Sequence, residues 1–512
     1  MRFLLALVPI AVILVLMVVF RWGAARAGAA GFLSALTVAV IFFGAGAQLL
    51  AYAQVKALLL TVDVLLIIWS AFLLYRTADE AGAISTIGAA LPHLTADLGM
   101  QALIIGWAFA SFLQGVGGFG VPVAVIAPIL IGLGFSPMAA VVVPSVGHSW
   151  AVTFGSLGSS FQALMAATGL PAELLGPPAA LFLGAACLFV GPMVAHVTGS
   201  WRSLRRLLLP ALIIGLCMAV TQFLVVRAGL WNIGSFTAGL VGLLVSIPLA
   251  RRFRGEARDN GQLDRRALLI AISGYAVMVG ITLMVQLIPP FRNFLGQFVI
   301  RVNFPEVSTS LGYVTPAGPG RAIPLFRHAG AILTYSSIAA YLIYRRAGLY
   351  RPGAAGRILS STIRKVMSSS VGIASMVAMA SIMQHAGMTD TLARGLAEGM
   401  GRLFPLVAPW IGALGAFMTG SNTNSNVLFG GLQMRTAELL GYSVAIILAA
   451  QTAGGALGSV IAPTKVVVGA STAGMEGKEG DVMRHLLLYT GLLLVVISIL
   501  TITGVWLLGG SG

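Results

Sequence analysis

Charge is what this chain has least of. Only 9% of its 512 residues are Asp, Glu, Lys or Arg, and 58% are hydrophobic, whereas a soluble globular domain carries about 25% charged residues. That shortage excludes a soluble enzyme or binding module of this size. Cysteine is nearly absent: Cys187 and Cys217 both lie in apolar runs and give neither a disulfide framework nor a metal-ligand spacing. The histidines (His93, His148, His196, His328, His385 and His485) are scattered, and neither H-E-x-x-H nor a phosphate-loop sequence occurs. Membrane-embedded metallohydrolysis and ATP-driven pumping therefore lack support. No cofactor or metal is expected, and an enzyme is the weakest reading.

Apolar runs of helix length are abundant instead. A hydrocarbon core about 30 Å thick takes about 20 apolar residues. Such runs recur at 4–20, 29–50, 57–74, 177–197, 207–226, 230–250, 267–287, 329–344, 366–383 and 486–508. They predict an all-α polytopic protein of the cell membrane, with the lipid bilayer as its solvent. The run after Arg2 is about 17 residues long, exceeding a secretory signal core of about 7–15, and is read as a retained first helix.

The net charge of +16 sits in short loops, where it sets orientation rather than binding nucleic acid. Arg202, Arg205 and Arg206 form one cluster, 251–266 a second and 345–365 a third. Consecutive clusters are two spans apart, so all three fit the cytoplasmic face, with 289–328 outside.

Two regions, 101–161 and 405–469, are broken by Gly, Pro, Ser, Thr and Asn, and they are related. "AGAIST" from Ala81 matches "AGMTDT" from Ala386, and "SFLQG" ending at Gly115 matches "AFMTG" ending at Gly420, both 305 residues apart. "LGFS" from Leu133 matches "LGYS" from Leu440 at an offset of 307. Span counting starts the copies on opposite faces. An inverted-repeat secondary transporter with discontinuous helices, re-entrant hairpin tips and about 12–14 membrane segments is expected. Its parts are N-terminal helices (1–76), a first repeat (77–200), central helices with basic loops (201–365) and a second repeat with a C-terminal helix (366–512).

The stretch "GVGGFGVP", 115–122, matches the dinucleotide fingerprint G-x-G-x-x-G. It follows a helix-length run instead of a strand, and no acid stands about 20 residues on. It is a break in a membrane helix, and its repeat partner is "TGSNTNSNVLFG", 419–430. Unpaired peptide groups in hydrocarbon cost several kcal/mol each, so such breaks persist where protein, water or substrate satisfies them. Bare N–H groups at helix N-termini suit a carboxylate. Gly117, Gly118 and Gly120 at one tip, and Ser421, Asn422, Thr423, Asn424 and Ser425 at the other, are the candidate substrate site. Gln451 and Thr452 from the following break join them. His148 and Asp63 are proton-coupling candidates, each also readable as a hydrogen-bonded structural residue. Lys465 is an anion-attracting candidate, also readable as an interfacial lysine.

At 118–124, 132–135, 154–158 and above all 419–430, the sequence resembles the L-lactate permease family of bacterial and archaeal organic-acid transporters. The resemblance implies symport of a small monocarboxylate such as lactate or glycolate with protons. Sodium coupling and a passive anion channel are the alternatives, and a homodimer is compatible with the sequence.

Overall fold

The computed structural model describes residues 1–118, 120–253, 264–320 and 322–508. Phe119 of the first tip, positions 254–263 of the second basic cluster and Arg321 of the outer connection lie outside them. Ten helices among the described residues are long and apolar enough to cross a membrane. The longest, Ala172–Arg227, is divided at Gly199 and Ser200, whose backbone leaves the helical region just before the Arg202–Arg206 cluster.

Each broken region folds as a helical hairpin followed by an interrupted helix. The first hairpin has arms Leu98–Val116 and Val121–Gly132, its first arm containing a π-helical stretch, Ala102–Phe109. The second has arms Phe404–Thr419 and Asn422–Leu440. Antiparallel register in the second is fixed by Ser425 Oγ donating to Gly412 O (2.7 Å) and Gln433 Nε2 donating to Ala408 O (2.8 Å), pairs that join the two arms across the tip. The interrupted helices are Pro137–Ser149 continuing as Ser159–Thr168, and Val444–Gly458 continuing as Pro463–Thr472.

The same order recurs around these units. Ala47–Glu80 corresponds to Ala354–His385, and the start of Ala172–Arg227 to Glu479–Leu508, at offsets of 305 to 307. The match extends to Ala24–Phe43 and Ala329–Arg346. Packing is reciprocal. Val121–Gly132 of the first hairpin rests on Pro463–Thr472, and Asn422–Leu440 of the second rests on Ser159–Thr168. Likewise Ala24–Phe43 packs on Ala354–His385 while Ala329–Arg346 packs on Ala47–Glu80.

The copies point in opposite directions. At the end of Ala47–Glu80, Glu80 accepts from Arg357 Nε (2.7 Å) in the third basic cluster, and Tyr350 donates to Thr77 O (2.8 Å). At the matching end of Ala354–His385, the His385 carbonyl accepts from Thr315 (3.5 Å) in the outer connection. Between those faces runs Arg265–Leu287, whose 23 residues span about 35 Å at 1.5 Å each.

The outer connection is not wholly irregular. After the short helix Pro289–Leu295, three two-residue strand pairs nest into one long antiparallel ribbon: Val299–Ile300 with Ile323–Pro324, Asn303–Phe304 with Gly318–Pro319, and Val307–Ser308 with Val314–Thr315. It is fastened to the first half through Ser310 N donating to Gly44 O (2.9 Å) and to the second through Thr315 and His385. Strands this short, flanked by Pro and Gly, carry no alternation legible in sequence.

Candidate functional site

The two hairpin tips meet in a cavity of about 250 Å³, below the several hundred cubic ångströms of a drug-sized site and suited to a small metabolite. Gly120 supplies one wall, and Thr419, Gly420, Ser421 and Asn424 another. Thr464 and Lys465, at the start of the continuation helix Pro463–Thr472, form the third, and Lys365 reaches in from Ala354–His385.

Three helix N-termini therefore converge here: Val121 after Gly120, Asn422 after Ser421, and Pro463 after Ala462. Each carries roughly half a positive charge on unpaired N–H groups. Gly120 adopts φ +86°, and nothing stands within 4 Å of where a Cβ would be, so glycine provides both the turn and a bare peptide edge. Ser421 Oγ caps its helix by accepting from Asn424 N (3.4 Å), and the Asn424 Oδ1 has no partner. Lys465 Nζ donates to Ser459 Oγ (3.1 Å). No acidic residue lines the cavity among the described residues. Two ammonium groups, three N-termini and no carboxylate among the described lining residues give the cavity a positive character.

Behind the second tip both halves interlock through side-chain hydrogen bonds. Asn422 Nδ2 donates to Thr153 Oγ1 (3.1 Å), and Asn426 Nδ2 to Ser160 O and Thr452 Oγ1 (both 2.9 Å). Thr423 and Ser160 share a bond of 3.1 Å. Gln451 Nε2 donates to Ser425 Oγ (3.0 Å) and accepts through Oε1 from Gln433 (2.6 Å). Thr153 is delivered by the first break, where Ser156, Leu157 and Gly158 are consecutively left-handed at φ 47°, 52° and 81°. Such backbone at two non-glycine residues costs on the order of 1 kcal/mol each, and burial on all sides holds it in place.

The sequence-derived candidates thus fall into five places. Gly120, Ser421, Asn424 and Lys465 line the cavity. Asn422, Thr423, Ser425, Gln451 and Thr452 stand behind it in the buried network. Gly117 and Gly118 are filled, the first by the Tyr75 ring and the second by Ser156 and Gln114. His148 is buried, its Nδ1 2.6 Å from Pro144 O and its Nε2 unpartnered; its helix packs on the 459–461 turn that holds Lys465. Asp63 lies elsewhere, accepting from Gln162 Nε2 (2.6 Å) and paired with His328 Nε2 (2.9 Å). Lys365, Thr464, Thr153 and Ser160 were not singled out from sequence. Lys365 was hidden in a basic cluster that orientation alone explains, and Ser160 is one hydroxyl among several in a Gly/Ser-rich stretch.

The sequence profile of L-lactate permease matches residues 2–508. The chain belongs to the L-lactate permease family. Membership makes it a multi-pass membrane transporter of small monocarboxylates, not an enzyme. Among curated relatives, the L-lactate permease of Salmonella typhimurium is 28% identical over 470 residues, covering 86% of this chain and 85% of its own. The glycolate permease GlcA of Escherichia coli is 27% identical over 540 residues, covering 99% and 96%. The L-lactate permease of Bacillus subtilis is 27% identical over 536 residues, covering 97% and 94%. Among solved structures, the Alcanivorax borkumensis YdaH transporter is similar at a TM-score of 0.49 and 18% identity, over 87% of this chain and 85% of that one.

Proposed function

We propose that this permease-family chain is a secondary active symporter that moves a small 2-hydroxy monocarboxylate, such as lactate or glycolate, together with protons. The observation that carries the substrate class is the cavity between the two tips, where Lys365, Lys465 and three helix N-termini face one another with no acid among the described lining residues. The names of the relatives, lactate and glycolate permeases, support the same class. In this reading the carboxylate lies against the Gly120 peptide, Ser421 and Lys465, and the Asn424 amide binds its hydroxyl. The buried network of Asn422, Asn426, Thr153 and Thr452 holds the second tip rigid against the first half. Proton coupling rests on Asp63, paired with His328, and on His148, whose Nε2 is free to take a proton. Sodium is the alternative coupling ion.

The test is uptake of labelled L-lactate into proteoliposomes under an imposed pH gradient, with and without sodium. Accumulation that follows the pH gradient and collapses with a protonophore is expected. Absence of gradient-driven accumulation for every small carboxylate tried would overturn the proposal. Within that assay, Asn424→Leu is expected to lower uptake by about 10²-fold, because losing a buried amide hydrogen bond to a charged or hydroxylated ligand costs about 1.5–3 kcal/mol. Insertion should be unchanged, since Asn424 Oδ1 has no hydrogen-bond partner within the protein. Parental uptake by this variant would remove Asn424 from the site.

A further inference from the structure

A second cavity, of about 320 Å³, shares no lining residue with the cavity at the tips. Its walls come from the N-terminus of Ala172–Arg227, the end of Arg265–Leu287, Trp231 and Asn232, and the 322–329 segment where the ribbon returns to the bundle. Arg265–Leu287 begins in the second basic cluster and ends at this cavity, so the cavity lies at the far end of that helix from the cluster.

The polar groups here are built for an acceptor. Asn232 is among the lining residues, is 2% exposed, and its Nδ2 has no hydrogen-bond partner. Arg327 lines the same wall and forms no ion pair among the described residues. Burial, and then the charge of Arg292, push its guanidinium below the ordinary arginine value, as happens to a cation lacking a counter-charge. Gln286 adds a further amide. Two acids are present, and neither competes. Asp63 already accepts from Gln162 and His328, and Glu173 is exposed in the first turn of its helix, where the dipole favours it.

The wall of this cavity shares the helix Ser159–Thr168 with the network behind the second tip. Gln162 stands two residues from Ser160, which shares its hydroxyl bond with Thr423 behind the second tip. Trp231, in the cavity wall, has its ring packed on Gly158 of the first break and against Phe161 at 5.6 Å.

We propose that this cavity is a second, outward-facing site for a small carboxylate, held by Arg327 and the amides of Asn232 and Gln286 before passage to the tips. In naming the ligand it rests on the transport reading. Trp231 is the reporter. In detergent-solubilised Asn424→Leu protein, where the tip site is disabled, L-lactate is expected to change tryptophan emission saturably, while chloride at equal ionic strength does not. The change should vanish on adding Trp231→Phe. Arg327→Gln should weaken it at least tenfold, with Arg327→Lys recovering part of the loss, and both should melt at the parental temperature. In right-side-out vesicles Arg327→Gln alone should raise the external KM for uptake about tenfold.

Normal uptake with no Trp231-dependent signal at any lactate concentration would overturn the second site and leave the transport reading standing. Saturable binding without any gradient-driven uptake would do the reverse. An Arg327→Gln variant that binds as tightly as its parent would also overturn the proposal.

Discussion

Lys465→Gln is expected to cut gradient-driven lactate uptake by about 10²-fold or more, the largest loss at any cavity residue. The lysine is half-buried at a helix N-terminus, where the dipole disfavours a cation, and its only hydrogen-bond partner among the described residues is the neutral Ser459 hydroxyl. A charge so placed gains most when an anion arrives. Truncating one member of a desolvated charge pair costs about 2–5 kcal/mol, and 1.4 kcal/mol is about tenfold. Lys465→Arg keeps the charge but spreads it over a planar fork, so partial activity with a raised KM is expected. Initial rates over a range of lactate concentrations separate these cases. Parental KM and rate in Lys465→Gln would show that the anion does not meet this side chain.

Gly454→Val is expected to yield no monodisperse protein in fluorescence-detected size-exclusion chromatography, and Gly147→Val the same. A Cβ at Gly454 would lie 1.9 Å from Pro409 O, and one at Gly147 would lie 2.0 Å from Gly106 O. These are the same contact in the two copies: each interrupted helix is pressed onto the first arm of its own hairpin, backbone against backbone. Neither partner is a side chain that can rotate away, so the hairpin itself must move. Overpacking commonly costs 1–3 kcal/mol, occasionally more, and close approach through small residues is the main source of helix association in lipid. Gly280→Val is the control, since nothing stands within 4 Å of its Cβ position. A Gly454→Val protein that melts with its parent would show that the arms are not in contact.

The membrane class was legible because hydropathy acts residue by residue. The repeat was legible because small-residue strings at 81–86 and 386–391 mark the same turn in both copies. The second tip stood out as six polar residues in apolar flanks, and four of its members build the buried network. What stayed hidden depends on partners far along the chain. That Tyr75 fills the space beside Gly117, and Ser156 that beside Gly118, follows only from packing. Asp63 appeared as an isolated acid, yet its partner His328 is 265 residues away. Thr153 and Ser160 are single hydroxyls in a Gly/Ser-rich stretch, and only the left-handed turn at Ser156–Gly158 carries them to the second hairpin.

The nested ribbon grips both halves, at Gly44 and at His385, and it does so on one face only. A scaffold of two matched halves would otherwise gape equally readily in either direction. With a buckle on a single side, any movement that separates Gly44 from His385 must stretch or carry those two bonds.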